Sequence, residues 1–454
     1  MDPARNAVVA EVTEATPSDV DRAVRSAQRA FESGDWRRQT PRQRGDALLA
    51  LSTRMREHAE ELAQIDSLNV GKPITQARGD AAQAADFIDY FGRVIIDLPG
   101  EVIQNDDEQV TLVVREPTGV VAAVVPWNFP VVVAAASIGP ALAAGNSVVL
   151  KPSSITPLTA LRLGELTDGI LPRGALNVVT GSGDAVGDAL VTHPLVDRVA
   201  FTGSTGVGQA ILQKSAASMK RVGLELGGKS PTLILDDAPF DDAVQSALAR
   251  IALNQGENCA AGSRLLVSAS MYDRFVDALG QKARELVIGD PQRERTDLGP
   301  MVSVSHKERV ESYMELAADE ARPLYVGDTP QRAPFSSGFY VPVSLWDAGP
   351  GTRLWREEVF GPMLAITSYQ TEEEMVRLAN DTDFGLLATV WCGDRGRGLR
   401  VARQLRAGIV RINNATSPIN GPWGGFKMSG IGRGYGRYAI EEATELKQIN
   451  IDLS

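Results

Sequence analysis

Apolar positions along the chain first recur at helical spacing and then gather into short β-branched runs. In TPSDVDRAVRSAQRAF, Val20, Ala23, Val24, Ala27 and Phe31 follow helical spacing behind Thr16, Pro17 and Asp19, which together form a capping signal, so an amphipathic helix is predicted. Helical patterns near Arg42 to Gln64 and Ala77 to Val94 come next, then a strand-rich DEQVTLVVREPTG. The rhythm changes after that: GVVAAVV, NSVVL, LNVVT, DRVAF and KRVGLEL are short runs separated by helical patterns. Strands apolar on both faces and joined by helices predict an α/β fold with a doubly wound parallel sheet, an architecture that usually holds a nucleotide. A second α/β region starts near Lys229. It sets helical FDDAVQSALARIALNQG and MYDRFVDALGQKAREL around strand-like RLLVSAS, followed by LAITSYQ and LLATVW. FPVVVAAASIGPALAAG, Phe129 to Gly145, is shorter than a bilayer span and contains Pro and Gly, so it reads as a buried helix.

Length and charge narrow the picture. A chain of 454 residues predicts two or three packed domains. A net charge of −11 and a pI near 5.0 give no electrostatic footprint for nucleic acid or an anionic membrane. The amino terminus has no basic region followed by a long apolar block, so no signal peptide is expected. With Cys259 and Cys392 as the only thiols, no disulfide framework is indicated, and a reducing, cytoplasmic setting is the expectation. His58, His193 and His306 are the only histidines and all stand in polar sequence, which argues against a metal cluster or a Cys/His pair.

Four stretches carry candidate chemistry. FTGSTGVG, Phe201 to Gly208, follows a strand pattern and opens a helical one, so it is either a plain turn or a phosphate-binding loop; its glycines fit neither GxGxxG nor a P-loop. Lys151 ends the strand pattern NSVVLK, where a solvated lysine is the first reading. Glu225, among the small and apolar residues of LELGGKSP, is either bonded to the amides of the Gly227–Gly228 turn or a general base. Cys392, in ATVWCG, reads as inert core. Cys259, in NQGENCAAGSR, is set among polar and small residues that leave room for a ligand, and its thiol needs an activator other than histidine.

PWNFP (Pro126 to Pro130), KPSSITP, FTGSTGVG, ELGGKSP, NQGENCAAGSR, EEVFGP and PWGGFKMSGIGR occur in the order seen in the aldehyde dehydrogenase superfamily, with Cys259 lying 34 residues after Glu225. The resemblance covers nearly the whole chain. It implies a Rossmann-like cofactor domain over 1–98 and 118–228, an α/β catalytic domain over 229–430, and a small β oligomerisation element from 99–117 and 431–454. It also implies that an aldehyde is oxidised to an acid with NAD or NADP. In that scheme Cys259 is the nucleophile, Asn128 the oxyanion donor, and Glu225 the base for thioester hydrolysis. Cofactor contacts fall on Val125, Pro126, Trp127, Lys151, Ser153, Ser154, Gly183, Phe201, Gly203, Ser204, Leu226, Glu358 and Phe360. Trp423, Val133 and Ala136 line the substrate side, and no metal is implied. A homodimer or homotetramer is expected, from TLVVREP and ELKQINIDL.

Departures from the family pattern also carry information. Ser154 stands where Glu is frequent, which admits NADP beside NAD. Glu257 replaces a common Gln and is expected to bring a negative charge near the thiol. GRGYG replaces GRELG, with no consequence derivable from sequence. The chain begins at what resembles the family's NPATG turn, without the usual first strands. Trp423 suits an ammonium-bearing aldehyde such as betaine aldehyde or an aminoaldehyde, whereas Ala136, often Trp in those enzymes, leaves the aromatic cage incomplete and with Val133 leaves a roomy, apolar entrance equally consistent with aliphatic or aromatic aldehydes. Two other functions compete: a coenzyme A-acylating relative, which generally lacks the glutamate at Glu225, and a nucleotide-binding structural or regulatory protein without catalysis.

Overall fold

The computed structural model describes residues 1–105 and 107–454. The predicted first helix runs Pro17–Ser33. Thr16 accepts the Asp19 amide and the Asp19 carboxylate accepts the Thr16 amide, a reciprocal pair that satisfies two orphan donors, and Gly34 stops the helix in the left-handed region at φ 82°. The pattern from Arg42 to Gln64 is not one helix: it divides into Pro41–Glu57 and Ala59–Val70 at His58, whose φ of −105° breaks the spiral. Ile74–Val94 and Pro130–Ala144 complete this helical layer.

The five short runs form parallel strands, Val120–Val124, Ser147–Lys151, Leu176–Val178, Arg198–Thr202 and Arg221–Glu225, with Gly430–Ile431 added antiparallel beside the last. Across the sheet Val120–Val124 is central, with the two strands that follow it in sequence on one side and the next two on the other. That reversal creates a crevice at the carboxyl ends of Val120–Val124 and Arg198–Thr202, the place where doubly wound sheets hold ligands. Burial on both faces explains the continuous apolar runs. Val120 and Ala122 pack with the helix Pro17–Ser33, whereas Val121 and Ala123 pack with the four-helix layer opposite.

A second sheet has seven strands. Pro231–Ile234, Arg264–Ser268, Met363–Tyr369, Ser344–Asp347, Leu387–Trp391 and Ile409–Ile412 are parallel, and Arg322–Val326 closes one edge antiparallel. Its side chains also alternate between two cores, Leu233 and Leu266 on one face and Ile234, Leu265 and Val267 on the other. A third, antiparallel sheet joins Glu101–Gln104, Gln109–Pro117 and Thr444–Asp452. Among the described residues no helix is long and apolar enough to cross a membrane.

Candidate active site

The helix Phe240–Ala252 does not run on through NQG as its pattern suggests. Asn254 and Gln255 take φ of 49° and 56°, and Gly256 follows at 76°, so three successive left-handed residues turn the chain sharply towards Cys259. Glycine is required at 256, because a Cβ there would lie 2.3 Å from the Gly361 carbonyl carbon. Asn254 holds the turn: it is fully buried, its backbone amide donates to Gln76, and its side-chain amide donates to the carbonyls of Asn128 and Glu257 at 2.9 and 3.0 Å.

Cys259 is half-buried and opens into a cavity of about 340 Å³ that it shares with Glu225. Burial, with Glu358 and Glu225 close by, pushes its thiol up to about 12, so the resting sulfur is protonated. Glu257 does not supply the charge expected of it near the thiol. Its carboxylate turns the other way, accepts the Val302 amide at 2.8 Å, and lies 3.8 Å from His306. Burial also explains why that carboxyl is pushed well above its ordinary range.

Glu225 ends its strand beside Thr202 and Gly430. The amide of the Gly227–Gly228 turn is not its partner: Gly228 donates to Glu358 at 2.8 Å instead. The Oε2 of Glu225 is buried without a hydrogen-bond partner, and burial raises the carboxyl well above the usual carboxylate range despite Arg433 and the Gly434 backbone. A carboxyl raised in this way is suited to exchange a proton with water. Asn128 sits in the loop between the strand Val120–Val124 and the helix Pro130–Ala144, and its amide donates to the Glu257 carbonyl at 2.9 Å. Cys392 is fully buried core.

Around the crevice stand the residues expected to meet a dinucleotide. Val125, Pro126 and Trp127 leave the central strand, Lys151, Ser153 and Ser154 leave its neighbour, and Gly203 and Ser204 leave the strand Arg198–Thr202. Ser204 caps the twelve-residue helix Thr205–Ala216, accepting the Val207 amide. Gly203 is packed under the Phe201 ring, where a Cβ would clash at 2.4 Å, and Leu226 lies over Gly208, 2.6 Å from where a Cβ would stand. Gly183 is exposed with open space above it. Lys151 is not the solvated lysine that its sequence setting suggests: it is 4% exposed, its Nζ donates to the Pro152 carbonyl, and burial lowers it to about 8. A buried ammonium at one strand end and a glycine-lined helix start at another fit an anionic cofactor with hydroxyl-rich sugars. Glu358 and Phe360 reach the crevice from the second sheet's side, and the Phe360 ring packs edge-on to Trp127.

His306 departs from its polar sequence context. It packs edge-on to both Trp127 and Phe360, and burial lowers its pKa although its hydrogen bond to the Phe360 carbonyl at 2.8 Å works the other way. Trp423, Val133 and Ala136 line the cavity. One face of the Trp423 indole is stacked on Tyr435 at 5.1 Å, which gives GRGYG a consequence that sequence alone does not reveal: Tyr435 is a wall of this cavity, held at φ 60°. Arg250 and Arg411 also line it, although no motif points to them. A weaker signal does, a cation inside ALARIAL and another inside IVRIN, each an apolar setting like that of Glu225. Among the described residues no group of three or more His, Cys, Asp or Glu is placed to hold a metal ion.

Known proteins share this architecture. The model of the aldehyde dehydrogenase family matches residues 1–449. The NADP/NAD-dependent aldehyde dehydrogenase PuuC of Escherichia coli is 41% identical over 458 residues, covering 100% of this chain and 92% of that protein. An aminoacetaldehyde dehydrogenase of Pseudomonas aeruginosa is 41% identical over 459 residues, with the same coverage. The crystal structure of betaine aldehyde dehydrogenase from Staphylococcus aureus in complex with NAD+ superposes with a TM-score of 0.98 at 37% identity, covering 100% of this chain and 91% of that one.

Proposed function

The chain belongs to the aldehyde dehydrogenase family, oxidoreductases acting on the aldehyde group, and we propose that Cys259, Asn128 and Glu225 carry its reaction with NAD or NADP. The observation that carries this reading is the single cavity shared by a thiol and a carboxyl whose Oε2 is unpartnered. The Cys259 sulfur adds to the aldehyde carbon while its proton passes to water, forming a thiohemiacetal whose oxygen carries the negative charge. The Asn128 amide and the Cys259 backbone N–H hold the oxygen that gains charge. When bound, the oxidised nicotinamide cofactor accepts a hydride. Glu225 then takes a proton from water, whose oxygen attacks the thioester and frees the acid and the thiol. Lys151 and Ser154 are assigned to the adenosine ribose, Gly203 and Ser204 to the pyrophosphate, and Glu358 to the nicotinamide ribose.

Glu225 favours hydrolysis over transfer to coenzyme A. The names of relatives and the indole of Trp423 support an aldehyde bearing an ammonium group as one substrate class. The division into a cofactor domain (1–98 and 118–228), a catalytic domain (229–430) and an oligomerisation element (99–117 and 431–454) belongs to the same proposal. So do a cytoplasmic setting and a homodimer or homotetramer.

Mixing the protein with a panel of aldehydes and NAD or NADP tests the reading by absorbance of the reduced nicotinamide. Cys259→Ala is expected to abolish that signal while cofactor still binds, and Cys392→Ala to keep it. Normal turnover in Cys259→Ala removes the thiol from the mechanism.

A further inference from the structure

Four guanidinium groups line the cavity that Cys259 opens into, those of Arg198, Arg250, Arg411 and Arg433. Two have carboxylate neighbours. Arg198 lies 3.5 Å from Glu442, and Arg433 stands near Glu225 while donating to the Gly432 carbonyl at 2.6 Å. Arg250 and Arg411 have no carboxylate within ion-pair distance among the described residues. Each is steered by one serine through Nε: Arg250 donates to Ser246 at 3.2 Å, and Arg411 to Ser417 at 3.0 Å. That arrangement orients the forks and leaves their terminal amino groups for a ligand.

The two cations come from different elements. Arg250 lies in the last turn of the helix Phe240–Ala252. Arg411 lies in the edge strand Ile409–Ile412, where Val410 and Ile412 pack on the core and the alternation sends Arg411 to the other face. Both are half-buried, close enough that Arg411 lowers the pKa of Arg250, and burial lowers both. Two like charges held together in a partly desolvated cavity are unfavourable alone and favourable around an anion. A planar guanidinium matches a carboxylate with two parallel hydrogen bonds.

Resting on Cys259 as the nucleophile of this same cavity, we infer that Arg250 and Arg411 form a subsite for a carboxylate carried by the aldehyde. The substrates are then aldehydes with an acid group at the far end, and the products are dicarboxylic acids. Aldehyde and water give acid, a hydride passes to the nicotinamide, and one proton is released. This subsite competes with the ammonium-bearing class that the Trp423 indole on the same cavity supports, and the test separates the two.

The test compares three aldehydes of equal chain length ending in a carboxylate, a methyl or an ammonium group. Each is assayed with wild type, Arg250→Gln, Arg411→Gln and the double variant. In wild type, kcat/KM for the carboxylate-ended aldehyde is expected to exceed that for the neutral one by about tenfold or more, the size of one charge-assisted contact. In the double variant that ratio falls towards one, chiefly through KM. Equal values in wild type, or a preference for the ammonium-ended aldehyde, overturn the inference. Calorimetric binding of the matching dicarboxylate needs no turnover and is expected to weaken by about tenfold in the variants; binding that is unchanged also overturns it. If no aldehyde is oxidised but dicarboxylate binding depends on both arginines, the anion subsite stands and the catalytic assignment falls. If the neutral aldehyde is oxidised with no carboxylate preference, the catalytic assignment stands and the anion subsite falls.

Discussion

The side-chain amide of Asn128 donates to the carbonyl of Glu257 at 2.9 Å, joining the first loop of the cofactor sheet to the segment that carries Cys259. Asn254 returns the contact by donating to the Asn128 carbonyl. Asn128, the proposed oxyanion donor, is therefore also a clasp on the segment that carries Cys259. Asn128→Ala is expected to lower kcat by about 10²–10³-fold, the cost of one oxyanion donor, and also to lower the thermal midpoint. An unchanged kcat removes Asn128 from the chemistry, whatever happens to stability.

The role proposed for Glu225 falls after hydride transfer and so gives a different expectation. In Glu225→Gln the first turnover proceeds and the thioester accumulates, so a stopped-flow trace should show a burst of reduced cofactor close to one per active subunit, then slow release. A steady-state rate equal to that of wild type refutes the assignment.

Cofactor choice turns on Ser154, which is exposed on the loop that follows buried Lys151. A carboxylate a few ångströms from a ribose 2′-phosphate opposes it by roughly 1–4 kcal/mol, and each ~1.4 kcal/mol is tenfold in affinity. Wild type is therefore expected to accept NADP as well as NAD, and Ser154→Glu to shift preference towards NAD by about tenfold or more. Competition binding measures both. Rejection of NADP by wild type would instead implicate Glu14, whose carboxylate accepts the Ser182 amide and whose charge reaches Lys151.

Lys229 gives a stability prediction with a definite pH sign. It is 1% exposed, its Nζ has no hydrogen-bond partner, and burial lowers it from the ordinary lysine value of 10.5 to about 7. The unfolded chain thus binds the proton more tightly than the folded one. Its cost to folding is greatest below pH 7 and fades as pH rises towards 10.5. Lys229→Met is expected to stabilise the protein by about 1–4 kcal/mol near neutrality, with the gain shrinking steadily in alkaline buffer. Denaturant titrations at several pH values decide it; a gain that grows with pH contradicts the argument.

Much of the scaffold is legible in the sequence because its strands are buried on both faces, which makes runs such as Val120 to Val124 continuous and unmistakable. The break at His58 is not, since its polar neighbours suit a helix equally well and only the backbone turn separates the two halves. Cys259, Glu225 and Asn128 stand out by motif and local context, yet the direction of the Glu257 side chain depends on the distant amide of Val302. Lys151 misleads for a related reason: lysine is rarely buried, and the contacts that cover it come from segments far away in sequence. Arg250 and Arg411 lie 161 positions apart, so their convergence on one cavity is a property of the fold alone.

Glu225 terminates a strand of the six-stranded sheet, while Cys259 stands between Phe240–Ala252 and Arg264–Ser268 of the seven-stranded assembly. The proposed base and nucleophile therefore belong to separate sheets, and turnover becomes a gauge of how well the two are docked. Mild denaturant is therefore expected to lower turnover before it lowers the helical circular dichroism signal.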